Sequence, residues 1–308
     1  MPRSTCQSER AVPAKRRDVR SLAVKQRCGA FHAPLQNVTN ANENRTFEPY
    51  FPCNAPWHAS RTLPSSLMLF RQFFDLDSST YTYLLGDERT GEAALIDPVL
   101  GQVDRDLEFV KQLGLTLVRV FDTHVHADHV TGAGALRDRT GARTVSGRAG
   151  AVCADLHAEP GTVVRVGQFG LRVLSTPGHT DDSVSYLLVD PERADVPGDR
   201  VFTGDALLIR AAGRTDFQNG NSGTLYDSIT RTLFTLPDST LVYPAHDYLG
   251  RTVTTVGEEK QWNLRIAGRT REQFSAEMQS LHLPEPKRLH EAVPANLACG
   301  REPALVQG

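Results

Sequence analysis

Apolar and polar residues show no sustained period over residues 1–66, then fall into regular strand-like and helix-like runs from Leu67 onward. Residues 69–74 and 80–85 are rich in aromatic and β-branched side chains, which suit a pleated, half-buried surface, and they predict strands. A turn at Gly86 and Asp87 leads back into a buried strand over 93–98. Between 104 and 114, Leu107, Val110 and Lys111 recur at helical spacing and Gly114 supplies the stop. The apolar run 117–121 reads as another buried strand, and 129–139 as a helix. Further strands are expected at 162–166, 171–175, 185–189, 201–203 and 240–243, with helices at 224–236, 255–263 and 271–281. Strands dominate each half and helices intervene. The pattern predicts an α/β protein in which two mixed β-sheets pack together with helices outside, an αβ/βα sandwich spanning 67–308.

Composition adds little to that picture, but charge divides the chain. With 308 residues, 40% apolar and 23% charged, it is long enough for a substantial core. The first 30 residues carry eight Lys and Arg against Glu9 and Asp18, so an overall charge of −2 leaves −8 on the remainder. An acidic body lacks the basic track that phosphates require, which argues against a nucleic-acid partner. No apolar run reaches bilayer-spanning length, and no secretory apolar core is present near residue 1. Residues 1–66 are expected to be a disordered or transit-like extension, with Met68 as an alternative start. The five cysteines are scattered and lack CxxC spacing, which predicts free thiols in a reducing compartment. A cytoplasmic location follows, or the mitochondrial matrix if residues 1–66 include a transit peptide.

The chemistry concentrates at strand ends. Directly after the run 117–121, the stretch Thr123-His124-Val125-His126-Ala127-Asp128-His129 packs three imidazoles and a carboxylate into six residues. Such a density of ligand-type side chains is costly unless a cation collects them. His179 follows another apolar run, as do Asp205 and His246, each beside Gly or Pro. Taken singly, His179 or His246 would be an ordinary loop histidine and Asp205 a turn former. As a set delivered by four strand ends, they predict a metal site. His32, His58, His157, His282 and His290 lack such a context. All the residues of a two-metal site are present, so spacing alone leaves one metal or two open.

The H-x-H-x-D-H marker with the later His179, Asp205 and His246 resembles the metallo-β-lactamase superfamily. A narrower resemblance, to persulfide dioxygenases, is carried by 78–85, 95–99, 124–132 (HVHADHVTG), 203–210, 213–218, 243–248 and 292–296. It implies oxidation of glutathione persulfide by O2 and water to sulfite and glutathione, with one Fe(2+) per chain. Carried onto this sequence, it implies His124, His179 and Asp205 as iron ligands, two imidazoles and a carboxylate that leave coordination positions open. His126, Asp128, His129 and His246 would then orient those ligands through hydrogen bonds. It further implies Arg214, Tyr248 and Thr180 as substrate contacts, a homodimer, and a separate rhodanese-type sulfurtransferase as partner. The competing resemblance is to hydroxyacylglutathione hydrolase, a thioesterase with a dinuclear metal site.

Overall fold

The computed structural model describes residues 68–193 and 198–301. The extension expected at 1–66, with His32, His58 and three of the cysteines, lies outside the described residues. The first sheet holds β1 (Met68–Asp75), β2 (Thr80–Asp87), β3 (Glu92–Ile96), β4 (Thr116–Phe121), β5 (Arg143–Gly147) and β6 (Leu156–Ala158), side by side in chain order. β1 to β3 pair antiparallel and β3 to β6 parallel. The second holds β7 (Val163–Val166), β8 (Phe169–Ser175), β9 (Val184–Val189), β10 (Arg200–Gly204), β13 (Leu241–Pro244) and β14 (Thr254–Thr255), with β11 (Leu207–Leu208) and β12 (Ala211–Ala212) forming a separate hairpin. Among the described residues there are six α-helices: α1 (Val103–Gln112), α2 (Ala133–Thr140), α3 (Ser222–Arg231), α4 (Val256–Trp262), α5 (Arg271–Ser280) and α6 (Leu289–Leu297).

Period-two alternation sorts the side chains between layers. Tyr81, Tyr83 and Leu85 of β2 face Tyr186, Leu188 and Phe202 in the core between the sheets. Leu84 points the other way, onto Val110 of α1 and Leu136 of α2. On the far side Leu187, Val201 and Val242 pack against Leu225 and Ile229 of α3 and Phe274 of α5. The expected αβ/βα sandwich is therefore observed. α5 is begun by a capping box in which the Thr270 side chain accepts from the Gln273 amide while Gln273 reaches back.

Most expected elements are present within a few residues, and the departures are local. The helix expected at 129–139 starts at Ala133, because Val130 and Gly132 spend their backbone groups on Leu100 and Pro98. The segments β5, β6 and α6 were not visible as periodic runs. The expectation of free thiols is corrected for two cysteines: Cys153 and Cys299 form a disulfide, with Cα atoms 5.9 Å apart across 146 residues of sequence. The thiol argument for a reducing compartment does not hold for this pair. No helix among the described residues is long and apolar enough to cross a membrane.

Candidate metal centre

The sheets converge on one edge. β8, β10 and β13 run in the same direction and end next to the start of β2 and the ends of β3 and β4. Cross-sheet backbone bonds, Val184 N–H to Thr123 C=O at 2.9 Å and Tyr81 N–H to Ala245 C=O at 2.7 Å, fix that convergence. Each of these strands delivers one candidate: β4 leads to His124, β8 to His179, β10 to Asp205 and β13 to His246.

His124, His179 and Asp205 offer ligand atoms that all lie within 4.8 Å of one another. His179 Nε2 is 3.5 Å from Asp205 Oδ2. The far side of each group is held. His179 Nδ1 donates to the Arg214 carbonyl at 2.7 Å, His124 Nδ1 lies 3.0 Å from the Thr123 hydroxyl, and Asp205 Oδ1 accepts from His246 Nδ1 at 2.6 Å. Protonation suits ligation as well. Burial, reinforced by His126 and His179, lowers the His124 pKa well below the usual histidine value and keeps the ring neutral. Burial alone would raise Asp205, but the His246 cation beside it holds the carboxylate well below its ordinary range. Two imidazoles and a carboxylate with free inner atoms are a donor set that fits a divalent first-row metal.

The other members of the set form a layer behind. His246 has both ring nitrogens against carboxylates, Nδ1 on Asp205 and Nε2 on Asp128 Oδ2 at 2.9 Å. An imidazole donates twice only when protonated, and the two carboxylates outweigh burial and raise His246 well above its ordinary pKa. Asp128 Oδ2 also accepts from His129 Nδ1 at 2.9 Å and from the Thr80 hydroxyl at 3.1 Å. His126 Nε2 donates to Asp97 Oδ1 at 3.1 Å; burial works against a charge there, but Asp97 wins and pushes His126 up to about 9. His126 Nδ1 and His129 Nε2 are buried with no hydrogen-bond partner, and with Asp128 they form a second cluster of ligand spacing.

Sequence reasoning did not single out several residues that hold this arrangement. Asp97, at positive φ just past β3, accepts from the Thr123 amide at 2.7 Å and the Thr123 hydroxyl at 2.9 Å. Thr80 lies within 3.3 Å of Asp128, His129 and His246. Gln218 and Asp182 bind the carbonyl and amide of Val125, each at 2.8 Å. The one available signal was position, since Thr80 and Asp97 also sit at strand ends.

The three expected substrate contacts fare differently. Arg214 is paired bidentately with Asp216 at 2.6 Å, donates to the Pro284 carbonyl and covers the Phe217 ring, so its guanidinium is committed within the chain. Tyr248 is 72% exposed, with its ring parallel to that of His246. The buried Thr180 hydroxyl, next in sequence to His179, lies 2.6 Å from Ser183 Oγ. Among the bland histidines, His157 lies 3.0 Å from the Ala151 carbonyl and His290 pairs loosely with Glu285 at the surface.

Two packed sheets, outer helices and strand-end His and Asp residues on one edge define a metallo-β-lactamase-type protein, and residues 76–152 match the metallo-beta-lactamase superfamily. The narrower relationship is clear from similarity over about three quarters of the chain. The mouse protein "Persulfide dioxygenase ETHE1, mitochondrial" is 48% identical over 234 residues, covering 76% of this chain and 89% of that one. A crystal structure of ETHE1 from Myxococcus xanthus is 63% identical, with a TM-score of 0.73, covering 76% of this chain and all of its own. A hydroxyacylglutathione hydrolase from Bradyrhizobium is 38% identical over a shorter 180 residues, 57% of this chain and 66% of that one. The chain belongs to the persulfide dioxygenase family.

Proposed function

We propose that the protein is a persulfide dioxygenase that converts glutathione persulfide, O2 and water into glutathione and sulfite, using one ferrous ion held by His124, His179 and Asp205. The observation that carries the one-metal reading is the state of His246. Both of its nitrogens face carboxylates, so it has no free donor atom for a second cation, and it places a positive charge between Asp205 and Asp128. Oδ2 of Asp128 is likewise engaged, with three partners. A ferrous ion held by the three ligands would supply open coordination positions and redox activity, while the four electrons that reduce O2 would come from the persulfide sulfur as it becomes sulfite.

The chain's own residues do the rest. The Arg214 carbonyl fixes the His179 ring, and His246 fixes Asp205, so that both present their inner atoms without rearrangement. His246 holds a proton at Nδ1 against Asp205, which tempers the negative charge of the site. Arg214 is assigned to a substrate carboxylate, which it would take by exchanging Asp216 for the ligand. Tyr248, exposed beside His246, is assigned a hydroxyl contact to the substrate, and Thr180 supports the loop that carries His179. A dimeric assembly, a separate rhodanese-type partner and a location set by residues 1–66 belong to the same proposal.

The second reading is a dinuclear thioesterase, favoured by the orphaned His126 Nδ1 and His129 Nε2. One assay separates the two. Given glutathione persulfide, the iron-loaded protein is expected to consume O2 and release sulfite in equal amounts; rapid cleavage of S-lactoylglutathione without O2 uptake would reverse the choice.

A further inference from the structure

The C-terminal segment 289–301 contributes nothing to the ligand set, yet it grips the turn that carries it. Asn296, near the end of α6, is 2% exposed, and its side chain makes three hydrogen bonds, all to that turn. Its Nδ2 donates to the carbonyls of His126 and His129, each at 2.8 Å, and its Oδ1 accepts from the Thr131 amide, also at 2.8 Å. The side chain thus uses both amide hydrogens and its carbonyl on three backbone groups of the segment that begins at His124, from 165 to 170 residues away in sequence. Val130 packs on Ala292 and Ala295 beneath it.

The end of this helix is itself tied down. The Gly134 amide donates to the Cys299 carbonyl at 2.9 Å, and a Cβ at Gly134 would collide with that oxygen. Cys299 is 2% exposed and joined to Cys153, which is partly exposed on the loop after β5. One covalent bond therefore anchors the residue three positions beyond Asn296.

We propose that Asn296 is a positioning residue for the metal-bearing turn, and that the Cys153–Cys299 disulfide makes its grip depend on thiol redox state. The inference rests on the reading of His124 as a ligand, though on neither the identity of the metal nor the reaction. Asn296 acts through the backbone: it fixes the carbonyls of His126 and His129, and so the path of the turn on which the His124 ring rides. The disulfide opens by thiol–disulfide exchange. A thiolate attacks Cys153 Sγ, the S–S bond breaks, and Cys299 leaves as a thiolate that takes a proton. A second thiol attacks the mixed disulfide and releases Cys153. Two external thiols become one disulfide, and the protein gains two electrons and two protons. The segment after Asn296 is then held by non-covalent contacts alone, among them the Gly134–Cys299 hydrogen bond and the Arg301–Asp138 ion pair.

The test is the rate at which metal leaves the full chain, loaded anaerobically with Fe(II) or in parallel with Co(II), into an excess of chelator. It is run on wild type, Asn296→Asp and Cys153→Ser, each with and without a dithiol. Asn296→Asp keeps the shape and the Thr131 bond but sets an oxygen against two carbonyls. A role in packing alone would leave it silent, whereas the inference expects release at least about tenfold faster. Reduced wild type is expected to release metal several-fold faster than oxidised wild type, and Cys153→Ser to match the reduced rate with or without dithiol. Wild-type release by Asn296→Asp would overturn the positioning role. Equal rates for oxidised and reduced wild type, or the oxidised rate in Cys153→Ser, would overturn the redox dependence. If Asn296→Asp fails to fold, hydrogen exchange at the amides of 125–131 decides: protection that does not change on reduction overturns the proposal. A wild-type chain that takes up neither metal overturns both this inference and the ligand reading, while metal uptake with unchanged release overturns this inference alone.

Discussion

Replacing His246 with Ala removes two charge-assisted hydrogen bonds at once, the 2.6 Å bond to Asp205 and the 2.9 Å bond to Asp128. Hydrogen bonds to charged groups contribute about 1.5–3 kcal/mol each. Only the bond to Asp205 bears directly on a ligand, so its loss sets the scale for metal binding. At about 1.4 kcal/mol per factor of ten, iron affinity is expected to fall roughly 10- to 100-fold, the range seen when a group orienting a metal ligand is removed. Stoichiometry should remain one metal per chain. The assay is anaerobic competition for Fe(II) against a chelator of known affinity, beside His124→Ala, which deletes a donor and should lose far more. Unchanged affinity in His246→Ala would refute the reasoning. So would a drop from two bound metals to one, because His246 would then be a ligand rather than an orienting cation.

Other predictions concern substrate, pH and core. Arg214→Ala keeps the backbone carbonyl that holds His179, so KM for the persulfide should rise about tenfold with a smaller change in kcat; a pure kcat loss would place the side chain nearer the chemistry. Burial raises the Asp106 carboxyl from 3.8 to about 6, with Arg105 opposing. The folded state thus holds a proton that the unfolded chain has released, and stability falls as pH rises from about 4 to 6. Asp106→Asn should be more stable than wild type at pH 7.5 by up to ~3 kcal/mol and equal to it near pH 3.5, read by denaturant unfolding; the same difference at both pH values would contradict this. Phe274, buried between α3 and β10, should cost about 3–5 kcal/mol as Phe274→Ala in the same unfolding assay, with metal affinity preserved; loss of metal in a folded variant would show the layers to be coupled.

The clustering of His124, His179 and Asp205 was legible in the sequence because strand-end turns are local. An apolar run followed within a few residues by His or Asp says where that side chain will stand, and two sheets meeting at one edge bring the four ends together. What escaped depends on distance along the chain or on competition between neighbours. Asn296 meets the turn across 165 residues or more, and Cys153 meets Cys299 across 146, so no period or spacing announces either. Arg214 reads as a free guanidinium until the fold closes it onto Asp216, two residues on, and the carbonyl of Pro284. β5 and β6 are short parallel strands, paired to neighbours rather than patterned by themselves.

The central claim is a single metal gripped by two imidazoles and one carboxylate, with His246 in the place of a second cation. X-ray absorption on protein purified anaerobically from its native cell addresses it directly. The account predicts one iron per chain, a nearest shell of nitrogen and oxygen only, and no metal–metal distance. A scattering vector from a second metal at about 3.5–4 Å would contradict it.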